Sequence, residues 1–375
     1  MKNVLIVYHY IAHYRVPIFN LLSKSKEPKY TILSGIKTDI VIKTADENLS
    51  RIDPEFGGIR WLKIRNFWFL KYFLFQPSVL KFSLIKKYDT IIYLGSMYYV
   101  STWIGAILSK LTKKKVIFWT HGFIREEKNF QGFIRLQFYK LADELLVYGQ
   151  RAKDILVAKG YPEKKITIVF NSLDYEQQLK IRNSFFLEKK IEIFKNNELP
   201  VFSFIGRITK QKKIDILLDV LNKINQEENK ANLLVIGDGD QIDFLKQKAK
   251  ELNIDDYVVF YGSCYDEKTI FQLMEMTNVV VSPGEVGLTA IHALCYGVPV
   301  ITHDRFDKQM PEYEAIIEGK TGAFFEHDDA FNSLYEILKI WLFKKNKIQI
   351  KNDCFEVVDK YYNPYTQKKI FNTIV

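Results

Sequence analysis

The chain has 375 residues, 47% of them apolar and 26% charged. That excludes a disordered chain, a collagen-like repeat and a small disulfide scaffold, and leaves room for two domains. The net charge of +10 is uneven: residues 1–187 hold 30 Lys and Arg against 15 Asp and Glu, residues 188–375 hold 24 against 29. A basic first half suits an anionic partner: nucleic acid, anionic lipid or a phosphorylated substrate. The three cysteines, Cys264, Cys295 and Cys354, are scattered and lack Cys-x-x-Cys spacing, which reads as a reducing compartment and no metal site.

In chain order, short β-branched runs are expected as strands at Val4–Tyr8, Tyr30–Leu33, Thr90–Leu94, Lys115–Trp119, Glu144–Val147 and Ile166–Val169, with helices between. The opening run is too short and too soon interrupted for a signal peptide. Residues 90–109 carry no charge over 20 positions, long enough for a membrane span. They divide more naturally into a strand, a Gly95-Ser96 turn and a helix from about Tyr98 to Leu111. A polar helix is expected over Asp174–Asn183, then a charged linker ending at Pro200. The second set of strands is Val201–Ile205, Leu233–Ile236, Val258–Tyr261, Val279–Ser282, Val298–Ile301 and Gly322–Phe325. Repeated alternation of strand and helix predicts an α/β protein of two tandem doubly wound, Rossmann-like domains, with the ligand cleft between the carboxyl ends of their strands. The boundaries read as 1–185, a linker at 186–199, and 200–360, with a C-terminal helix at 361–375 able to pack back on the first domain.

In the second half, Gly206-Arg207-Ile208-Thr209-Lys210-Gln211-Lys212 leaves a strand through a turn that Gly206 permits. Arg207 and Lys212 flank it, two cations suited to a diphosphate. Asp238-Gly239-Asp240 reads as a turn in which Asp240 caps the next helix, rather than a metal site. The run Ser282-Pro283-Gly284-Glu285-Val286-Gly287-Leu288-Thr289 carries a strand through a glycine loop into a helix. The free N–H groups at that helix start suit an anion. Glu285 is a candidate acceptor for sugar hydroxyls, and Thr289 and His292 follow on the helix.

These pieces resemble the retaining glycosyltransferases of family 4, which have the GT-B fold. The resemblance rests on Gly206-Arg207…Lys212, Gly237-Asp238-Gly239, Val259-Phe260-Tyr261-Gly262 and the loop ending Gly297-Val298-Pro299-Val300, in matching order and spacing. It implies that Arg207 and Lys212 neutralise a donor diphosphate, and that Glu285, Val286, Gly287, Leu288 and Thr289 hold the donor sugar and its phosphates. The family's loop has two glutamates eight positions apart; here those positions are Gly284 and His292. His292 is expected on the ribose hydroxyls, and adjacent Glu285 is the candidate for the first role.

In the first half, His13-Tyr14-Arg15-Val16-Pro17 looks like the Tyr-Arg-x-Pro signature of the same family, placing Arg15 near acceptor and donor phosphates. The family's glycine-rich loop is replaced by Tyr8-His9-Tyr10. His121, before Gly122 at a strand's carboxyl end, is expected to face the donor sugar, and Glu126 and Glu127 are candidates for the acceptor hydroxyl. Cations and aromatics interleave from Arg60 to Lys87, and Lys110, Lys113, Lys114 and Lys115 add a block. That pattern suits an anionic leaflet; no nucleic-acid module is present.

The expected function is transfer of a sugar from a nucleotide-diphosphate donor, UDP-sugar favoured over GDP-sugar, to a glycan or lipid-linked acceptor. The anomeric configuration would be retained, with His121, Arg207, Lys212 and Glu285 catalytic and no metal or cofactor required. Lysine outnumbers arginine 44 to 10, a hint of an AT-rich bacterial genome and so of surface polysaccharide assembly on the inner face of the cell membrane. A sugar-nucleotide epimerase of the same fold and a non-catalytic partner subunit are the alternatives.

Overall fold

The computed structural model describes residues 2–36, 43–125, 127, 130–184, 191–343 and 346–375. They fall into two units: Met1–Asp174 together with Asn363–Val375, and Tyr175–Tyr362.

The first unit runs β1 (Asn3–Tyr10), α1 (Val16–Ser23), β2 (Lys29–Gly35), β3 (Trp61–Lys63), β4 (Phe67–Phe69), β5 (Phe73–Phe75), α2 (Pro77–Leu84), β6 (Thr90–Leu94), α3 (Val100–Leu111), β7 (Lys115–Thr120), α4 (Phe130–Tyr139), β8 (Glu144–Val147), α5 (Gln150–Ala158) and β9 (Ile166–Ile168). Seven of these strands form a parallel sheet in the order β3-β2-β1-β6-β7-β8-β9. Successive residues point to opposite faces, and both faces are buried. Leu5, Val7, Ile91, Tyr93, Phe118 and Leu145 enter one core; Val4, Ile6, Ile92, Ile117, Trp119 and Leu146 enter the other. This is why the strands read as unbroken apolar runs. The uncharged run at 90–109 becomes β6 and α3. At ~1.5 Å per residue the 12 residues of α3 span about 18 Å, short of a ~30 Å bilayer core. No helix among the described residues is long and apolar enough to cross a membrane.

The second unit runs α6 (Tyr175–Ser184), β10 (Val201–Ile205), α7 (Asp215–Asn225), β11 (Asn232–Ile236), α8 (Ile242–Glu251), β12 (Val258–Gly262), α9 (Glu267–Met276), β13 (Val279–Ser282), α10 (Leu288–Cys295), β14 (Val300–His303), β15 (Gly322–Phe325), α11 (Ala330–Phe343) and α12 (Lys347–Lys360). The sheet order is β12-β11-β10-β13-β14-β15, with every pair parallel. The chain winds outward from β10 to one edge, then returns to β13 and winds to the other. The loops after β10 and β13 therefore flank the point where strand order reverses, the place where such sheets bind ligands.

The boundary lies earlier than the sequence suggests. α6 packs on α9 and α10, and its Arg182 makes a bidentate pair with Asp359 of α12 at 2.9 and 3.1 Å, so residues 175–184 belong to the second unit. The last helix, α13 (Pro364–Ile374), joins the first unit by packing on α1. Its Phe371 is fully buried against Trp119, with ring centroids 5.1 Å apart, a burial worth roughly 2–3 kcal/mol. Residues 186–190 of the expected linker lie outside the described residues.

Candidate active site

The second unit holds the phosphate-binding candidates. The loops after β10 and β11 lock together: Gly206 N–H donates to Ile236 O and Ile208 N–H to Asp238 O, at 3.0 and 2.9 Å. The loop after β13 closes on the first of these. A Cβ at Gly284 would stand 2.4 Å from Gln211 O and 2.9 Å from Lys212 Cα, so only glycine lets the two backbones meet. This is the physical reason why no carboxylate stands at position 284. The approach brings Lys212 and Glu285 together. Lys212 Nζ donates to Glu285 O at 2.8 Å and lies 3.5 Å from its carboxylate. Arg207 is exposed on the same loop as Lys212.

α10 opens at Gly287, pinned to the end of β10 by Thr289 Oγ1, which donates to Ile205 O at 3.3 Å. The backbone N–H groups of Gly287, Leu288 and Thr289 donate to no acceptor among the described residues. Three open donors and a helix dipole thus lie beside Lys212 on neighbouring strand ends, an arrangement suited to a pyrophosphate. Val286 differs from the expectation. It is buried, and its N–H is taken by Gln309 Oε1 at 2.7 Å; Gln309 Nε2 in turn donates to Thr302 Oγ1 and His303 O. Val286 therefore fixes the loop's shape. Gln309 carried no signal in the sequence, because it sits in an irregular connection far from any motif.

His292 is committed elsewhere. Its Nε2 lies 2.9 Å from Glu267 Oε1 at the start of α9, an oxygen that also accepts from Tyr296 OH at 2.6 Å and Gln178 Nε2 at 3.0 Å. Burial pushes the Glu267 carboxyl up, but the His292 hydrogen bond and charge, with the other donors, hold it down at about 2. The knot ties α6, α9 and α10. A depressed carboxyl stabilises the fold fully above its ordinary 4.5 and loses that contribution as pH falls toward 2. Glu267→Ala removes the shared acceptor of His292, Tyr296 and Gln178 and is expected to cost about 2–4 kcal/mol in urea unfolding at neutral pH. An unchanged midpoint would remove the knot from the account.

Asp240 does not cap the following helix. α8 starts at Ile242 after Gln241, with no side-chain cap, and Asp238 Oδ1 accepts from Gly239 N–H at 2.8 Å within the turn. Among the described residues, no group of three or more His, Cys, Asp or Glu is arranged to hold a metal.

In the first unit, the candidates gather at the carboxyl ends of β1, β7 and β8. Arg15 is buried rather than an exposed helix-start cation. Its guanidinium lies 4.9 Å from the Trp119 ring, 5.3 Å from Tyr148 and 5.4 Å from Tyr14, and Nη2 donates to Tyr148 OH at 2.7 Å. His121 directly follows β7 and packs on Tyr148 at 4.7 Å. His9 stacks on Tyr10 at 3.9 Å, and its buried Nδ1 has no hydrogen-bond partner among the described residues. Each imidazole keeps a partly exposed edge. Even so, burial and then the Arg15 charge push His9 down to about 3 and His121 to about 4. Both are neutral at physiological pH, able to donate and accept toward hydroxyls. Tyr148 was missed in the sequence, though it follows its strand just as His121 follows β7. Glu127 is held by Arg135 in a bidentate pair at 3.0 and 3.1 Å, and so is not placed to serve an acceptor hydroxyl. Glu126 lies outside the described residues.

The two depressed histidines set a pH dependence. The unfolded chain takes up their protons below 6.5, whereas the folded chain does so only near 3 and 4. Stability therefore falls as pH drops from 6.5, by up to ~1.4 kcal/mol per pH unit per histidine. Urea unfolding of His9→Phe/His121→Phe is expected to show a flatter acid limb than the native chain; an equal slope would contradict the assignment.

The two doubly wound parallel sheets have the GT-B architecture. Over its full length the chain superposes on two solved structures, in each case covering 100% of this chain and 99% of the other with 17% identity. They are the lipopolysaccharide outer core galactosyltransferase WaaB, apo form (TM-score 0.70), and Anabaena Alr3699/HepE in complex with UDP (TM-score 0.69). Residues 186–349 match the family described as glycosyl transferases group 1. Among curated relatives, the lipopolysaccharide 1,6-galactosyltransferase of Escherichia coli K12 is 25% identical over 195 residues, 50% of this chain and 49% of that one. The aligned stretch spans about half the length of the curated relatives the chain matches.

Proposed function

We propose that the chain is a glycosyltransferase that moves a sugar from a nucleotide-diphosphate donor, with UDP-sugar favoured, to a hydroxyl of a glycan or lipid-linked acceptor. The anomeric configuration is retained, and the setting is bacterial surface polysaccharide assembly at the inner face of the cell membrane. The observation that carries this reading is the grouping of Arg207, Lys212 and the N–H groups of Gly287, Leu288 and Thr289 around the strand-order reversal of the second unit.

As the bond from anomeric carbon to phosphate oxygen breaks, negative charge grows on the departing nucleoside diphosphate. Lys212, Arg207 and the α10 amides are fixed donors for that charge. Glu285 holds the Lys212 ammonium in place and offers its exposed carboxylate to sugar hydroxyls. In the first unit, neutral His121 is assigned to donor-sugar hydroxyls and Arg15 to an anionic part of donor or acceptor. Retention is assigned to attack on the face from which the diphosphate leaves, with the acceptor proton passing to the departing phosphate. The complex of a structural neighbour with UDP and the relative acting in lipopolysaccharide synthesis support the donor and acceptor classes.

A thermal-shift screen of UDP- and GDP-sugars identifies the donor, since a ligand that binds only the folded state raises its melting temperature. The expected result is a rise with one series and release of free nucleoside diphosphate only when a glycan acceptor is added. Release of the diphosphate with no acceptor requirement and no sugar transferred would reject the reading.

A further inference from the structure

We propose that the hairpin β4–β5 is an interfacial anchor whose tip, Phe69, Leu70 and Tyr72, enters the headgroup region of an anionic bilayer. This rests on the membrane attachment proposed above and names the element responsible.

The hairpin pairs Phe67 with Phe75, Trp68 with Leu74 and Phe69 with Phe73. On a pleated ribbon, alternate residues share a face. Leu74 is fully buried and Trp68 packs edge-on to Tyr99 at 6.0 Å, so this pair is the inward face. The other face is then Phe67, Phe69, Phe73 and Phe75, with the Phe69 and Phe73 rings stacked at 5.4 Å. A ribbon lying in water carries polar residues there. The turn is stranger still. Leu70 and Lys71 both have positive φ, 48° and 62°, in the three-residue connection Leu70-Lys71-Tyr72, a conformation that glycine and asparagine adopt far more readily. Leu70 is 76% exposed and Tyr72 69%. A leucine in the left-handed region, facing water, contributes nothing to folding.

The tip is held on a rigid base. Asn66 Nδ2 donates to His9 O at 2.8 Å, and Gln76 Nε2 donates to Tyr8 O and Asn66 Oδ1 at 3.1 and 2.8 Å. Tyr98 links the hairpin to α4: its ring meets Phe73 at 5.8 Å, and its hydroxyl accepts from Gln131 at 2.6 Å. Beside it, Phe130 and Phe133 stack at 6.5 Å and are both exposed.

Charge selects the occupant. From Phe56 to Arg125 the sequence holds twelve Lys and Arg and one acid, Asp89. Several of these cations have structural roles: Lys63 pairs with Glu47, Lys110 with Asp143 and Lys115 with Glu144, while Lys114 donates to Ile85 O. Arg65 and Lys71, at the base and tip of the hairpin, are exposed and in no ion pair among the described residues. Exposed aromatics with cations and no local acid match an anionic headgroup layer. Trp68 and His9 both contact the Tyr99 ring, so an acceptor anchored in that layer is presented next to the Arg15 cluster of the same unit.

The test uses the full chain with Cys264→Ser, because the other two cysteines are buried. Bimane is attached at Leu70→Cys or, as a control, at exposed Tyr265→Cys of the second unit. On vesicles of equal parts phosphatidylcholine and phosphatidylglycerol, the label at 70 is expected to shift to the blue and be quenched by nitroxide lipids, whereas the label at 265 is unchanged. Pure phosphatidylcholine gives no shift. Phe69→Ser/Leu70→Ser/Tyr72→Ser is expected to lower vesicle affinity at least ~10-fold, with turnover on a water-soluble acceptor unchanged. If the native chain does not sediment with the anionic vesicles, membrane attachment itself fails and the anchor with it. If it sediments but the label at 70 is unshifted, or the triple variant binds equally well, attachment stands and the hairpin assignment is overturned. A triple variant that only converts a dimer to a monomer would make this face a self-association surface and also overturn it.

Discussion

Lys212→Ala is expected to lower turnover at least ~100-fold while moving the melting temperature by no more than a few degrees. One fixed donor to a developing oxyanion is worth about 2.7–4 kcal/mol in a shielded site, or ~100- to 1,000-fold in rate. Lys212 has the required placement, with its ammonium held beside the open amides of α10 by Glu285. The stability change is small for a separate reason. The Glu285 carboxylate is about half exposed, and ion pairs of that kind contribute ~1 kcal/mol or less. Lys212→Arg restores only part of the rate, because a planar fork cannot occupy the position of a compact ammonium. Initial rates of nucleoside diphosphate release at saturating donor and acceptor provide the check, and a near-normal rate would remove Lys212 from the chemistry.

Gly237→Ala is expected to unfold the second unit roughly 10 °C below the native chain and to abolish donor binding. A Cβ at 237 would stand 1.8 Å from Gly206 O, inside a backbone-to-backbone contact with no flexible group to yield. The residue also has φ +147°, a conformation that side chains disfavour. Together these cost about 3–5 kcal/mol, and each kcal/mol moves the melting point by ~2–4 °C in a domain of this size. Gly206→Ala is the informative comparison. Its φ is equally unusual, but its Cβ would meet only the Phe204 ring at 3.5 Å, so the loss is smaller. Calorimetry of both variants separates strain from overlap; equal melting points would show that the Gly206–Gly237 contact does not hold the Arg207 loop.

Much of this was legible because the signals are short in range. Val4–Val7 and Val116–Trp119 read as strands of a doubly covered sheet since both their faces are buried, which needs unbroken apolar runs. The phosphate-binding loops were legible because strand ends followed by glycines and cations are local patterns. Two things were not. The hairpin at 67–75 was read only as aromatics among lysines, because its three turn residues, Leu70, Lys71 and Tyr72, include none of the Gly, Asn or Asp that usually mark a turn. The bracing of the site also escaped notice. Gln309, Glu267 and Tyr296 act over 23, 25 and 29 residues of separation, and no periodicity marks a hydrogen bond of that range. His292 was expected to face ribose for the same reason: its place on α10 was clear, but Glu267 was not visible as its partner.

The central claim is that Arg207, Lys212 and the amides of Gly287 to Thr289 together hold a pyrophosphate. Calorimetric titration with nucleoside, nucleoside monophosphate and nucleoside diphosphate, in both the uridine and guanosine series, tests it most directly. The account predicts at least ~10-fold tighter binding for the diphosphate than for the monophosphate in one series. It also predicts that Arg207→Ala and Lys212→Ala remove that gain while leaving nucleoside affinity unchanged. Equal affinity for all three compounds in both series would contradict it.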